Sequence, residues 1–496
     1  MQTRVFGTEC EYALFCGSEH GKAKANWDDE PLLEYLTGTT SFLVASLKAR
    51  GLPFAGEFLG NGGRFYIDRG AHPEYATPEC ACVRDVVAHE KAGDRIVQEL
   101  VDLAGSLMAE AGKPGKLLLF KNNVDSFGTT YGNHENYLVA PRAMENISAI
   151  IPFLVTRQIF SGAGKVSANG TEGESPYQVT QRADFIDRVF SDRTSGNRGI
   201  INLRKREIPR QGQGRRLHVL LGDSNMSEYA LGLRVGTTAL VLRLLEEDAL
   251  DDMPVLASSV EALKDVSRLF DCPIELENRE GRYNALDIQT MYLEKVHKFF
   301  GHHEPSCGDE EILSLWGHTL AGLRKLQISD VNWELEDDPA DLRRRIDWIL
   351  KLWLINRVKQ KKGFDWRDRR LRLLDVRYHD LHPDSGIFQR CIALHLADQM
   401  VDEEEIRKAQ IEPPKDTRAW TRGRIVQCAE GKNVEVIIKN WERINIVARP
   451  KGPSSTHPFD RHRRMVNRLE IKLDDPFMTN DASVLEKVRD FVEMWD

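Results

Sequence analysis

Residues 61–77 read NGGRFYIDRGAHPEYAT, and the fold of the chain turns on how that stretch is taken. Arg64, Tyr66 and Asp68 fall at i, i+2 and i+4, so a strand presents all three on one face while Phe65 and Ile67 pack into the other. A guanidinium, a phenol and a carboxylate then converge, followed by a glycine turn and Glu74. Arginine pairs with phosphate oxygens, and an aspartate can take a proton from an attacking amine. A half-buried amphipathic strand with a structural ion pair has the same spacing, so the segment alone leaves both readings open.

Upstream, Arg4–Phe15 (RVFGTECEYALF) puts Glu9 and Glu11 on one strand face. Paired carboxylates are costly to bury without a cation, and magnesium prefers such oxygen ligands. Two ordinary glutamates on an exposed strand would look the same. Downstream, FKNNVDSFGTTYGNHENYLV offers Asn122, Asn123, Asp125, His134, Glu135 and Asn136. RRLHVLLGDSNMSE sets His218 opposite Leu217, Val219 and Leu221, with Asp223, Ser224 and Asn225 ahead of a helix. Such groups bind phosphate or complete a metal site, or are simply satisfied within the fold.

The chain has neither a GxxxxGK[ST] phosphate loop nor a convincing GxGxxG, so a nucleotide site must be built on a sheet from carboxylates and arginines. SGAGKV at 161–166 reads as a helix end. Strands are expected at 4–15, 63–68, 116–121, 135–140 and 217–222, and helices at 82–112, 145–161, 229–247, 286–300, 309–326 and 339–359. Without strict β–α alternation the expectation is an α+β fold with a curved, mainly antiparallel sheet. A change to charged, proline-containing sequence near residue 400 suggests a large domain over 1–400 and a small αβ domain over 401–496, with 449–462 as a mobile loop.

The chain has 496 residues, 41% hydrophobic and 29% charged, an ordinary globular balance. Its net charge of −8 argues against nucleic acid as a partner. No run is apolar enough to span a bilayer and no signal-peptide pattern opens the chain, so a cytoplasmic protein with no membrane partner is expected. The eight cysteines are scattered without a CxxC pair and read as reduced, mostly buried thiols. Basic residues cluster at Arg204–Arg216 and Arg357–Arg372, as solvated faces or as a docking surface for an acidic polypeptide or phosphates.

Taken together, GTECEY, NGGRFYIDRGAHPEYATPEC, FKNNVDSFGTTYGNHENYL, PFLVTRQIFSGAGKV, RRLHVLLGDSNMSE, ALDIQ and LLDVRYHDL resemble the Pup ligase/Pup deamidase family, itself related to glutamine synthetase. They run in family order from residue 7 to about 381. The resemblance implies a glutamine-synthetase-like large domain plus a small C-terminal one. It also implies ATP and Mg2+, and ligation of the C-terminal glutamate of Pup, or of a Pup-like acidic modifier, to protein lysines in a ubiquitin-like pathway serving proteasomal degradation. By position, Asp68 matches the family's proton acceptor, and Glu9, Tyr66 and Glu74 its magnesium positions. Arg64, Thr77 and Trp441 match its ATP contacts, and His134 and His218 are further candidates for the metal and phosphate cluster.

The short interval 12–60 before the NGGRFY strand, with PFLVTRQ and GDSNM, is similar to the ligase branch. A deamidase of the same fold and a small-molecule glutamate–amine ligase are the alternatives. Cys10, the stretch 449–472 and the tail after Phe477 depart from the family pattern, which bears on which modifier is used.

Overall fold

The computed structural model describes residues 4–17, 57–68, 72–112, 115–125, 128–167, 175–194, 196–204, 214–329, 333–448, 468–479 and 481–496. Eight strands form the main sheet: β1 (Phe6–Glu11), β2 (Glu57–Phe58), β3 (Arg64–Ile67), β4 (Pro73–Ala76), β5 (Asn133–Val139), β6 (Arg188–Ser191), β7 (Gly199–Asn202) and β8 (Arg215–Val219). Their order is β6-β7-β8-β5-β1-β4-β3-β2. Only β6 and β7 pair in parallel, so the antiparallel-rich mixed fold expected from sequence is present.

In β1, alternation of buried Phe6, Thr8 and Cys10 with half-buried Gly7, Glu9 and Glu11 gives the sheet a reverse, core-facing side and a front side. Helices α1 (Val83–Glu110) and α2 (Glu228–Glu246) supply the core behind it. A glycine lets α1 approach: any side chain at Gly93 would collide with the Tyr75 ring. Along the reverse face, carboxylates are matched with cations. Lys121 Nζ reaches Glu90 and Asp94 at 2.9 Å each, and Arg157 reaches Glu135 at 2.5 Å.

The expected strand 4–15 is in fact two strands. At Tyr12, whose hydroxyl donates to Asp94 at 2.8 Å, the chain leaves the main sheet, and Ala13–Gly17 pairs instead with Lys116–Phe120. Two expected helices are broken. Over 145–161 the chain forms short 3-10 turns and then Ile151–Thr156 and Gln158–Ser161. Pro152 starts a helix there, because it has no N–H to continue one. Over 339–359, Ile346 adopts an extended conformation that buries its side chain, separating Ala340–Arg343 from Asp347–Lys362. The stretch after Ser161 ends its helix at Gly162, as read from SGAGKV.

Near the C-terminus, β9 (Val434–Asn440), β10 (Arg443–Ala448) and β11 (Arg468–Lys472) form an antiparallel sheet with its own apolar cluster, including Ile425, Ile444, Ile471 and Val488. The helix Glu403–Ile411 docks on α1 through the Arg84–Glu405 and Arg95–Glu403 pairs. The loop expected at 449–462 lies outside the described residues. Among the described residues no helix is long and apolar enough to cross a membrane.

Candidate active site

Strand register builds the site. Across β3, β4 and β1, Tyr66 stands beside Glu74 and Glu74 beside Glu11. One step along, Arg64 stands beside Ala76, Ala76 beside Glu9, and Glu9 beside His134 of β5. Asn136 then pairs with His218 of β8. Residues directly opposite in a ladder point to the same face, so these side chains share the front of the sheet. Asp68 follows directly after β3, its N–H bonded to the His72 carbonyl at 2.9 Å, and its carboxylate joins the same face.

Two donor groups result. Ligand atoms of Glu11, Asp68 and Glu74 lie within 4.8 Å of one another, and so do those of Glu9, His134 and His218. Tyr66 Oη donates to Glu74 Oε1 at 2.5 Å. Burial, then the charges of Glu9, Glu11 and Asp68, push Glu74 well above its ordinary value. Three converging carboxylates, one of them driven upward by its neighbours, fit a hard divalent cation such as Mg2+, which would remove the repulsion. Burial, followed by Glu9 and Glu74, also pushes the Tyr66 phenol far upward, so it offers a neutral oxygen.

Glu9 is differently placed. Burial opposes its ionisation, but the His134 hydrogen bond, with His218 and the Arg216 guanidinium beside it, holds it well below the usual carboxylate range. His134 Nδ1 lies 3.4 Å from Glu9 Oε2, Asn136 Nδ2 donates to Oε1 at 3.1 Å, and Arg216 lies 3.7 Å from Oε1. His218 is fully buried and kept neutral by that burial. Arg204 Nε donates to its Nδ1 at 2.6 Å, which places the ring proton on Nε2, 3.8 Å from Glu9 Oε2. In this arrangement His218 presents an N–H toward Glu9 rather than a lone pair for a metal.

A cavity of about 790 Å³ runs from Glu9 past Thr77, Arg204 and Arg216 to Trp441 and Phe477. Thr77 is clamped to β1: its N–H donates to Thr8 O, and its Oγ1 accepts the Thr8 N–H, each at 2.9 Å. Trp441, between β9 and β10, meets Phe58 edge-on at 4.8 Å, and the Arg422 guanidinium lies 4.8 Å from its ring. Arg422 and Arg418 both bind Glu79, joining the C-terminal sheet's support to the segment that carries Thr77. Burial opposes ionisation of Glu79, but Arg422 and Arg418 bring it down to about 2. The Arg64 guanidinium lies 4.7 Å from the Tyr66 ring centre.

Thus Glu9, Tyr66, Asp68, Glu74, His134 and His218 gather on one face with Arg64, while Thr77 and Trp441 line the cavity that Glu9 also borders. Glu11, Asn136 and Arg216, which the sequence offered as a paired carboxylate, a polar candidate and part of a basic run, belong with them, as does the Glu79–Arg422 pair, to which sequence reasoning gave no role. Asn136 lies two residues from His134 and Arg216 two from His218, as Glu11 does from Glu9, so period-two alternation places each on the front face.

Other polar candidates are structural. Asp223 accepts the Ala163 and Gln181 N–H groups, Asn225 donates to Asp347, and Asn123 holds Ser224. In the second basic run, Arg357 covers Trp353, Lys359 covers Trp366, and Arg370 pairs with Asp368. Of the first run, Arg204, Arg215 and Arg216 border the cavity, and 205–213 lie outside the described residues.

A family sequence model described as Pup-ligase protein matches residues 4–445. The Pup–protein ligase of Acidimicrobium ferrooxidans is 34% identical over 484 residues, covering 97% of each chain. A depupylase of Acidothermus cellulolyticus is 37% identical over 400 residues, covering 79% of this chain and 75% of its own. The crystal structure of Pup with its ligase PafA superposes with a TM-score of 0.82 at 28% identity, covering 99% of this chain and 93% of that one. PafA in complex with ADP gives 0.76 at 29% identity, with 95% of each chain covered.

Proposed function

Because this chain belongs to the Pup-ligase protein family, we propose that it is an ATP-dependent ligase that joins the C-terminal glutamate side-chain carboxylate of Pup, or of a Pup-like acidic modifier, to lysine amines of proteins. The observation that carries this reading is the front of the sheet. There the Glu11, Asp68 and Glu74 carboxylates converge beside Glu9, which borders a cavity that also holds Arg216, Thr77 and Trp441.

In this reading Glu9, Glu11 and Glu74, with the neutral Tyr66 oxygen, hold Mg2+. Bound there, the ion offsets charge on phosphate oxygens during phosphoryl transfer. Trp441 and Thr77 border the space for the nucleotide, and Arg64 and Arg216 meet its phosphates. The γ-phosphoryl group passes to the modifier carboxylate, giving an acyl phosphate. A lysine ammonium is no nucleophile until deprotonated, and Asp68 takes that proton as the amine attacks. The new isopeptide bond expels phosphate.

We assign residues 1–400 to a glutamine-synthetase-like catalytic domain and 401–496 to a small C-terminal domain; the separate apolar cluster from Ile425 onward supports a second unit, while Val401, Ile406 and Ala409 still pack into the main core. The matches to ligases over nearly the whole chain favour ligation over depupylation, and the short interval 12–60 agrees. The protein acts without nucleic acid or membrane, in the cytoplasm.

The test incubates the purified chain with ATP, Mg2+, a lysine-bearing acceptor, and glutamate- or glutamine-ended Pup, followed by intact mass spectrometry. Acceptor mass rising by modifier minus water is the expected result. Ammonia loss from the glutamine form without conjugation would transfer the chain to the deamidase branch.

A further inference from the structure

Two cysteines 225 residues apart meet at the surface, away from the chemistry described above. Cys82 immediately precedes α1 and is half-buried, whereas Cys307 is exposed, one residue before Gly308 at the start of the helix Asp309–Leu323. Their sulfurs are 2.9 Å apart. Cys10, Cys80, Cys272 and Cys391 are instead buried, and the Cys10 and Cys80 sulfurs meet oxygen atoms, of Glu11 and Ser224 and of Pro78.

Both sides of the contact are held in place by bonds independent of the sulfurs. On the Cys82 side, Cys80 exchanges backbone hydrogen bonds with Phe6 of β1 at 2.9 and 3.0 Å, and α1 begins at the next residue but two. On the Cys307 side, Arg243 of α2 donates to the Glu304 carbonyl at 2.8 Å and pairs with Asp309 at 3.2 Å, while the Ser306 N–H donates to Asp309 at 2.7 Å. The thiols are therefore brought together by two anchored segments. Closing a bond requires the sulfurs to approach by less than about 1 Å, since a disulfide bond is about 2.0 Å long.

We propose that Cys82 and Cys307 form a reversible disulfide, a modification site that clamps the start of α1 to the loop ahead of Asp309–Leu323 without reshaping the active site. The oxidant is a low-molecular-weight disulfide. The exposed Cys307 thiolate attacks one of its sulfurs and expels the first thiolate, forming a mixed disulfide. The Cys82 thiolate then attacks the Cys307 sulfur and expels the second. Two protein thiols become one disulfide, the oxidant is reduced to two thiols, and the two protons lost by the cysteines go to those products. Burial, followed by the adjoining Cys307 thiol, pushes Cys82 up to about 12, which agrees with Cys307 reacting first.

The test treats the native full-length protein with oxidised glutathione, then alkylates and measures intact mass and mapped peptides. The expected result is a monomer carrying two fewer alkyl groups than the reduced control, a Cys82–Cys307 linked peptide, a raised thermal midpoint reversed by dithiothreitol, and conjugation activity within about twofold of the reduced protein. Cys307→Ser, an exposed substitution, abolishes the link and the midpoint shift, and Cys82→Ser does the same. Stable glutathione adducts at Cys307 without closure, a link to another cysteine, or a link between two chains would each overturn the proposal.

Discussion

The two faces of the main sheet bury charge in opposite ways. On the reverse face, Glu90 accepts from Thr8 Oγ1 at 2.6 Å and meets Lys121 at 2.9 Å, while Glu135 meets Arg157 and accepts from Tyr137 at 2.6 Å. Burial would raise Glu90, but Lys121 and Arg234 bring it below its ordinary value. On the front face, Glu74 faces Glu11 and Asp68, and burial and those carboxylates drive it upward. Behind the sheet, protein cations neutralise the carboxylates and the network holds the fold. In front, Glu9 is matched by His134 and Arg216, whereas neutralisation of Glu74 is left to whatever binds, which is how a site differs from a scaffold.

That contrast predicts what each face loses on mutation. Asp68→Asn should lower conjugation by about 10²–10⁴-fold, the range for a lost general base. ADP affinity, measured by calorimetry, and the thermal midpoint should stay close to the parent's; normal conjugation would remove Asp68 from the chemistry. Lys121→Met should do the reverse. It strands Glu90 and Asp94 and should cost about 3–5 kcal/mol in urea unfolding, while the folded fraction still conjugates. Lost activity at unchanged stability would break the distinction between the faces.

Glu79 lies between the two cases, since it joins the Thr77 segment to Arg418 and Arg422. Its folded value of about 2 lies below its ordinary 4.5, so its stabilisation is fully present above about pH 4.5 and is lost as pH falls through the folded value. Glu79→Gln should therefore lower stability at pH 7 by at most about 3 kcal/mol. The gap from the parent, followed by thermal unfolding, should narrow below about pH 4.5. The smallest effect is expected at Glu11. Glu11→Gln should raise the Mg2+ concentration for half-maximal ADP binding about tenfold, roughly 1.4 kcal/mol, with little change in stability. An unchanged Mg2+ requirement would remove Glu11 from the cation group.

Much of the front face was legible because strand alternation is local. Arg64, Tyr66 and Asp68 follow from spacing alone, as do Glu9 and Glu11, and the structure brings those two strands together through β4. The break at Tyr12 was not legible: an unbroken apolar alternation gives no sign that the chain changes sheets, and the turning point depends on Asp94 and Pro73. The broken helix at Ile346 was missed for a related reason, since its apolar period continues while the core draws its side chain inward. His218 was visible as a front-face histidine, but the arginine that sets its tautomer is 14 residues away in sequence.

The sequence by itself determined which residues could share a strand face, because that depends on a two-residue repeat within one segment, and its motifs were enough to suggest the family. Only the tertiary structure decided which faces oppose which. Register between distant strands puts Glu74 beside Glu11, and packing puts Trp441 beside Phe58 and Cys82 beside Cys307. Those contacts arise from burying apolar surface between segments tens to hundreds of residues apart, and no local periodicity encodes them.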